Sequence, residues 1–210
     1  ACRAAAAAAA AAGGSSSGPG SAVAAGLGYG PAMQLAPTNL EGRFVRLEPY
    51  APALRTEVGR AIDCDPESWD VFSVPGQGEH FDGWWRDAMA ALADGSQVPF
   101  AVRRLSDGEI VGTTSFLNIR RPHRGCEIGA TFYRPDARAS AINPECKRLL
   151  LGYAFDDGAL RVDIVTDARN LRSQAAIAKL GAVREGTLRR HKVTWTGHIR
   201  DSVVFAVTDQ

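Results

Sequence analysis

The chain has 210 residues, 45% of them hydrophobic and 22% charged, which is enough apolar material for one sizeable folded core. Its formal net charge of +1 gives no overall basic field for nucleic acid and no acidic excess. No apolar run approaches the roughly 18 residues that a membrane helix requires. Four scattered cysteines form no CxxC pair and no zinc-ligand spacing: Cys2, Cys64, Cys126 and Cys146. These features predict a cytoplasmic protein without disulfide bonds or a metal, and without a nucleic acid or membrane partner.

Residues 1–34 have a composition unlike that of the rest of the chain. An alanine run at residues 4–12 is followed by glycines and serines, and Arg3 is the only charged residue. With so little bulky apolar surface to bury, this segment is predicted to be a low-complexity, disordered tail. The folded domain is therefore predicted to span residues 35–210.

The first half of the domain is predicted to contain three strands and two helices. Residues 40–47 alternate apolar and polar side chains, as a half-buried strand does. Two stretches with helical spacing follow, at residues 52–62 and 81–92. Two strand-like runs, 98–105 and 109–119, are then joined by a Ser-Asp-Gly hairpin turn.

The second half is predicted to alternate strands with two long helices. Its segments are, in chain order, a strand at 126–133, a helix at 144–156, a strand at 160–166, a helix at 170–180, and strands at 183–192 and 199–208. Asn143 is a plausible N-cap for the first helix, Pro144 suits its first position, and Gly181 suits the residue that closes the second helix. A mixed sheet with two crossover helices is the α/β architecture that this order predicts.

The segment from Cys126 to Phe155, CEIGATFYRPDARASAINPECKRLLLGYAF, carries the most chemical information. It reads as a strand, a tight loop and a helix whose first turn opens toward the end of the strand. Free N–H groups and the helix dipole make such a turn suited to a phosphate group. Small loop residues would let a phosphate approach the backbone closely, and Arg138 would add a fixed positive charge. An ordinary strand–helix turn is the alternative for this segment taken alone.

This loop resembles the acyl-CoA pyrophosphate loop of GNAT acetyltransferases, (Q/R)-x-x-G-x-(G/A). Arg138 matches its first position, Ala141 and Asn143 stand where the glycines would be, and Glu145 matches the acidic residue that often follows. The segments LEGRFVRLEPY, CEIG, TDARNLRSQAAIAKLGAVREGTLRRH and RDSVVFAV together look like the RimJ/RimL-like branch of that superfamily. The resemblance extends from Leu35 to the C-terminus. It implies a mixed, mostly antiparallel central sheet flanked by helices.

The resemblance also implies where acetyl-CoA would bind. The fourth and fifth strands of the family part, and the pantetheine arm bonds to backbone in the gap, which here implies Ala130, Thr131, Phe132 and Tyr133. The pyrophosphate would lie on the loop, which is formed by Arg138, Ala139, Ser140, Ala141, Ile142, Asn143 and Glu145. Asn170 would reach the cofactor from the start of the next helix, where Ser173, three residues on, shares its helix face. A simple N-cap is the alternative role for Asn170.

Glu127 is the first candidate for the base that an acceptor amine needs, since a protonated amine cannot attack a thioester. The two-residue period of a strand places Glu127 on one face with Gly129, Thr131 and Tyr133. Some members of the superfamily carry a catalytic glutamate at this position of the strand. A structural ion pair with an arginine of the preceding loop is the alternative.

Ser173 is the candidate proton donor to the departing thiolate. Many GNAT enzymes use a tyrosine seven residues after the helix-start asparagine, and here that position is Ile177. For the acceptor, the predicted contacts are an aromatic lip from one of two adjacent tryptophans and polar groups from two loops: Trp84, Trp85, Asn118, Arg120 and His191.

The sequence therefore predicts an acetyl-CoA-dependent N-acetyltransferase that acts by direct attack in a ternary complex. Its acceptor would be a small-molecule amine or a peptide N-terminus, and a homodimer is possible on general grounds. A non-catalytic acyl-CoA-binding module is the alternative, because the loop lacks its glycines and the helix lacks its tyrosine. A phosphate-binding GxxxxGK[ST] loop is absent from the sequence.

Overall fold

The computed structural model describes residues 33–210, and eight strands within them form a single sheet. The strands are β1 (Leu40–Glu41), β2 (Val45–Pro49), β3 (Val98–Arg104), β4 (Ile110–Arg120), β5 (Gly125–Tyr133), β6 (Arg161–Asp167), β7 (Val183–Val193) and β8 (Ile199–Thr208). Their order across the sheet is β1-β2-β3-β4-β5-β6-β8-β7. Only β5 and β6 run parallel, so the predicted mixed, mostly antiparallel sheet is confirmed.

Four α-helices flank this sheet: α1 (Arg55–Ile62), α2 (Phe81–Asp94), α3 (Ile142–Asp156) and α4 (Leu171–Ala178). Short 3-10 turns lie at Pro52–Leu54, Pro66–Val71, Gly78–His80, Arg121–His123 and Pro135–Ala137. The predicted helix at 52–62 is therefore a 3-10 turn followed by α1. No helix within residues 33–210 is long and apolar enough to cross a membrane.

Two buried apolar clusters show which helices cover which face of the sheet. Phe100 of β3 packs in one cluster with Leu150 of α3. The next residue, Ala101, packs in the other cluster with Val58 of α1 and Trp85 of α2. Because successive strand residues point to opposite faces, the sheet has an α3 face and an α1–α2 face.

The start of the domain departs from the sequence prediction in two ways. Residues 40–47 were predicted to form one strand, but the chain turns between β1 and β2, with the Gly42 N–H donating to Val45 O at 2.9 Å. The last two residues of the predicted tail pack on the domain. Met33 is fully buried in the cluster on the α3 face, and the Gln34 N–H donates to Asp157 Oδ2 at 2.6 Å. The rest of that tail, residues 1–32, lies outside the described residues.

A bulge in β5 changes which side chains share a face. Ser115 of β4 pairs with Gly129 and Thr113 pairs with Phe132, so two residues of β5 oppose one of β4. Ala130 lies in this bulge with a φ of 46°. Glu127 and Gly129 therefore face α1 and α2, but Thr131 faces α3. The prediction that Glu127, Thr131 and Tyr133 share one face was wrong, because the bulge reverses the alternation.

The first turn of α3 begins earlier than predicted. Ala141 occupies the N-cap position and Ile142 is the first helical residue. Asn143 and Pro144 therefore lie inside the first turn, not at the cap and first position where the prediction put them. Proline is tolerated there because the first turn has no intrahelical acceptor for its missing N–H. Gly181 follows α4 with a φ of 81°, the left-handed conformation that ends many helices.

Candidate functional site

The gap between β5 and β6 is the first part of the site. Their parallel pairing covers only Gly125 to Glu127 and Arg161 to Asp163, after which the strands part. From Ile128 onward, the edge of β5 that faces β6 has no strand partner among the described residues, although its other edge pairs with β4. An extended ligand can bond to such a free strand edge. The four residues predicted to hold the pantetheine arm lie along this edge: Ala130, Thr131, Phe132 and Tyr133.

The loop between β5 and α3 lies at the wider end of the gap. Ala139 has a φ of 55°, the left-handed conformation that favours glycine. Ser140 Oγ donates to Ala137 O at 2.6 Å and accepts from the Ile142 N–H at 3.3 Å. Ala141, by contrast, has a φ of −70°. The position that needs backbone freedom is therefore Ala139, not Ala141 or Asn143, where the glycines of the motif were aligned.

Arg138 is engaged by the protein. Its Nη1 lies 2.6 Å from Asp65 Oδ2, its Nε donates to Tyr133 O at 2.8 Å, and its guanidinium lies over the Phe132 ring. Hydrogen bonds from Ser68 and Arg138 hold the pKa of Asp65 below its usual value. Arg138 thus fixes the base of the loop, and a phosphate on the loop would compete with Asp65 for its charge.

Glu145 points away from the loop. Its carboxylate accepts hydrogen bonds from the backbone N–H groups of Arg43, Phe44 and Val45 at 2.7–3.0 Å. Burial raises the pKa of Glu145, but these three N–H groups outweigh it, and the net pKa is lowered. Both carboxylate oxygens are therefore occupied by the turn between β1 and β2, which contradicts the prediction that Glu145 lies on the pyrophosphate loop.

Asn143 gives a test of whether the loop suits a ligand. Its Oδ1 is buried and has no hydrogen-bond partner among the described residues. Buried amide oxygens are nearly always bonded, so an unpartnered one in the first turn of a 15-residue helix fits a site completed by a donor from a ligand or water. Together with the free edge of β5, this orphaned atom makes the residues present suited to hold an acyl-CoA.

The start of α4 supplies the next predicted residues. Asn170 is its N-cap, and Asn170 Oδ1 accepts from the Ser173 N–H at 2.9 Å. The capping role considered for Asn170 is therefore observed. Ser173 is half-buried in the first turn, and its hydroxyl has no hydrogen bond to another described residue. That hydroxyl is free to meet a ligand.

A cavity of about 560 Å³ opens on the α1–α2 face beside Glu127. Its lining consists of Ser96, Gln97, Leu117, Asn118, Ile119, Arg120, Glu127 and Lys192. Asn118 has a φ of 48° and its Nδ2 donates to Glu127 Oε2 at 2.7 Å. A Cβ built on Gly129 would lie 3.3 Å from Glu127 Oε1, so this glycine leaves room beside the carboxylate. The partner of Glu127 is an amide and not one of the nearby arginines.

The remaining acceptor residues lie at different depths. Arg120 lines the cavity, but its Nη2 is paired with Asp163 Oδ2 at 2.8 Å. His191 is exposed on β7, and desolvation with the charges of Lys192 and Arg200 lowers its pKa. Trp85 is buried and stacks on Tyr50, so it belongs to the core. Trp84 is half-buried and packs edge-on to Tyr50, which leaves it as the candidate aromatic lip.

Two residues near the site carry no signal in the sequence. Lys192 lines the cavity because β7 curls at a bulge between Leu188 and Lys192. Lys147 of α3 is 5% exposed, and its Nζ donates to Thr131 Oγ1 at 2.8 Å. Burial lowers the pKa of Lys147 to about 8. A lysine in a helix is ordinarily assigned to the solvent side, so its burial could be seen only in the folded chain.

The structure offers neither a metal site nor a reactive cysteine in the described part of the chain. No group of three or more metal-ligating side chains is found among residues 33–210. Burial raises the pKa of Cys126 to about 12 and that of Cys146 to about 11, so both stay protonated thiols. Cys64, the other described cysteine, is also a free thiol.

Comparison with known proteins agrees with this geometry. The model of the acetyltransferase (GNAT) domain matches residues 45–183. A candidate GNAT acetyltransferase from Chromobacterium violaceum ATCC 12472 aligns over 91% of this chain and 96% of its own, with a TM-score of 0.79 and 26% identity. For a candidate acetyltransferase from T. thermophilus the values are 82%, 89%, 0.71 and 35%. RimJ of Mycobacterium smegmatis, solved with CoA-disulfide, covers 82% of this chain and 88% of its own at 21% identity and a TM-score of 0.72. A search of curated proteins found no match.

An open, mostly antiparallel sheet that parts beside a small-residue loop, with a carboxylate in the adjoining cavity, defines an acyl-CoA N-acyltransferase site. The chain belongs to the GNAT acetyltransferase family. It is an N-acetyltransferase, and its cofactor is acetyl-CoA.

Proposed function

We propose that the chain transfers the acetyl group of acetyl-CoA to a primary amine by direct attack, with Glu127 as the base that accepts the amine proton. The observation that carries this proposal is the position of Glu127, which lies in the cavity of about 560 Å³ and at the last pairing before β5 and β6 part. A base must lie within hydrogen-bond reach of the amine, directly or through one water. Among the described residues, Glu127 is the only carboxylate that lines this cavity.

Glu127 is held in a fashion that suits proton transfer. Asn118 Nδ2 bonds only to Oε2, and Oε1 has no donor among the described residues. Oε1 is therefore free to accept the amine proton, while Asn118 fixes the orientation of the carboxyl group. The left-handed backbone of Asn118 is a costly conformation of the kind that often marks functional sites.

Acetyl-CoA supplies the activated acetyl group as a thioester. We assign its pantetheine arm to the free edge of β5 from Ala130 to Tyr133, and its pyrophosphate to the N–H groups of the loop from Ala139 to Ile142. Ser173 is the proposed proton donor to the sulfur, because its hydroxyl has no partner in the described part of the chain and Ile177 cannot supply a proton. Asn170 then has two roles, as the cap of α4 and as a contact to the cofactor.

The substitution Glu127→Gln tests the proposed base. We expect kcat to fall by at least about 100-fold while the dissociation constant of acetyl-CoA changes by less than about twofold, because general-base catalysis contributes roughly 10²–10⁴. Released CoA thiol would report the rate, and calorimetry the affinity. Glu109→Gln, which changes an exposed glutamate outside the cavity, is the matched control and should behave as wild type. Equal losses of rate and affinity, or an unchanged rate, would remove Glu127 as the base.

We also propose membership of the RimJ/RimL-like branch, for which the acceptor is a protein N-terminus or a small amine. The motifs in the sequence support this assignment, and the fold is shared with RimJ of Mycobacterium smegmatis. A panel of peptides with free or blocked N-termini, run beside small amines, would distinguish the two acceptors. Transfer to the free peptides alone would support a protein acceptor, and transfer to the small amines alone would exclude it.

A further inference from the structure

Arg200 is a buried cation that the proposed mechanism does not use. It lies on β8 and is 7% exposed. Val203 and Phe205 of the same strand pack in the cluster on the α3 face, so the alternate positions Ser202 and Arg200 lie on the α1–α2 face, as Glu127 does. Lys192, the residue of β7 that pairs with Arg200, lines the cavity that holds Glu127.

The partners of Arg200 are all neutral. Its Nε donates to Ser202 Oγ at 3.0 Å, and its Nη1 has two long contacts, to Ser73 Oγ at 3.4 Å and Val71 O at 3.5 Å. A guanidinium has five N–H groups, and Nη2 bonds to no described residue. Within residues 33–210, no carboxylate lies within ion-pair distance of Arg200.

Nearby carboxylates are occupied elsewhere. Asp167 accepts three hydrogen bonds from Arg169, from its backbone N–H and from two guanidinium nitrogens. Glu127 is held by Asn118. Desolvation lowers the pKa of Arg200, and the charges of Asp167 and Glu127 only partly oppose this effect. A buried charge that has no partner is costly, and in native proteins such a charge is normally paired.

We propose that Arg200 binds an anionic group of the acceptor, so that the acceptor is a small amine that also carries a carboxylate or a phosphate. This inference rests on the proposed function, since it places the amine of the same molecule at Glu127. The anion would replace the two long contacts of Nη1 and bond to the free Nη2. A cavity of about 560 Å³ is in the size range of small-ligand sites, and Lys192 adds a second positive charge at its wall.

The acceptor class is tested with matched pairs that differ only in the anion. The pairs are L-phenylalanine and L-phenylalaninamide, 4-aminobutyrate and its amide, and O-phosphoethanolamine and ethanolamine. Calorimetry with the full chain saturated with CoA measures binding, and thiol release with acetyl-CoA measures transfer. We expect at least one anionic member to bind about tenfold or more tightly than its neutral counterpart, as a charge-assisted hydrogen bond gives. The carboxylate and phosphate pairs show which anion is preferred.

The variant Arg200→Gln should abolish that preference, and Arg200→Lys should retain part of it. A purely structural role for Arg200 would weaken both members of a pair equally and leave their ratio unchanged. Arg189→Gln, an exposed arginine of β7, is the matched control and should keep the ratio. Because the ratio is also measured on the wild type, the test does not depend on folding of the variant.

The two proposals fail in different ways. Preferential binding of the anionic amines without thiol release would support the anion site and overturn the proposed transfer to such amines. Thiol release without any preference for the anionic members would overturn the anion site and keep the transferase. A preference that survives in Arg200→Gln would move the anion to another cation, and so would overturn the role of Arg200.

Discussion

At the scale of single residues, Lys147 shows how the fold changes the chemistry of a side chain. Its ammonium group lies between α3 and the sheet, where Thr131 Oγ1 is 2.8 Å and Thr114 Oγ1 is 3.5 Å away. The two hydroxyl groups also bond to each other at 2.9 Å. Burial lowers the pKa of Lys147 from 10.5 to about 8. The unfolded chain therefore binds more protons than the folded chain between about pH 8 and 10.5, and stability from this group rises with pH in that window.

Replacement of this lysine by methionine should stabilise the protein. At pH 7 the full cost of the buried charge is present, so we expect Lys147→Met to raise the free energy of unfolding by about 1–3 kcal/mol. The gain should shrink as the pH approaches about 10, where most of that cost has been removed by deprotonation of the folded chain. Urea unfolding at pH 7 and pH 10 measures both effects. The exposed Lys179→Met is the control, and a gain from Lys147→Met that does not change with pH would show that the charge is not its cause.

The other residues of interest show why only part of the site could be predicted from the sequence. Glu127, Asn170 and Ser173 follow from their positions in a recognisable strand and helix start. The partner of Arg138 is Asp65, which is far away in the sequence and reaches it only in the folded chain. Arg200 carried no sequence signal either, because an arginine on an amphipathic strand is ordinarily assigned to the solvent side.

At the scale of elements, the turn between β1 and β2 is attached to the first turn of α3 by one carboxylate. Glu145 accepts from three successive N–H groups, those of Arg43, Phe44 and Val45. A Cβ built on Gly42 would lie 2.4 Å from the Glu145 carboxyl carbon, so only glycine fits there. The turn explains why residues 40–47 form two strands although their alternation indicates one.

Loss of this carboxylate should cost stability rather than cofactor affinity. We expect Glu145→Ala to lower the free energy of unfolding by about 2–4 kcal/mol at pH 7, because three buried N–H groups lose a charged acceptor. The pKa of Glu145 is lowered from 4.5, so its stabilisation is present above that pH and is lost as the pH falls below it. Glu145→Gln, which retains one acceptor oxygen, should lose less. Unchanged unfolding with weaker acetyl-CoA binding would restore Glu145 to the pyrophosphate loop.

The helices and strands themselves were predicted to within a few residues where their patterns are strong. β8 has the predicted bounds, and β5 and α2 extend them by one or two residues. The bulge in β5 could not be predicted, because bulges are most readily signalled by glycine and here the left-handed residue is Ala130. The face of every residue after it was consequently misassigned.

At the scale of the whole molecule, binding of the cofactor should stabilise the fold. Acetyl-CoA is assigned to groups from β5, α3 and α4, so its binding to the folded state opposes unfolding of all three. At a concentration 100 times its dissociation constant we expect about 2.7 kcal/mol of added stability, or a rise in Tm of roughly 5–10 °C. CoA should act similarly. Thermal unfolding with ATP as the comparison gives the answer, and an equal shift with ATP would indicate a general nucleotide site.

The bulge at Ala130 has a consequence for how this chain can vary. Loss of one residue there would leave the length of β5 nearly unchanged, yet it would turn Thr131 toward α1 and α2 and Phe132 toward α3. Lys147 would lose its nearest acceptor and the Phe132–Trp69 stack would be broken. Side chains along this strand can therefore drift over evolutionary time far more freely than the number of residues in it.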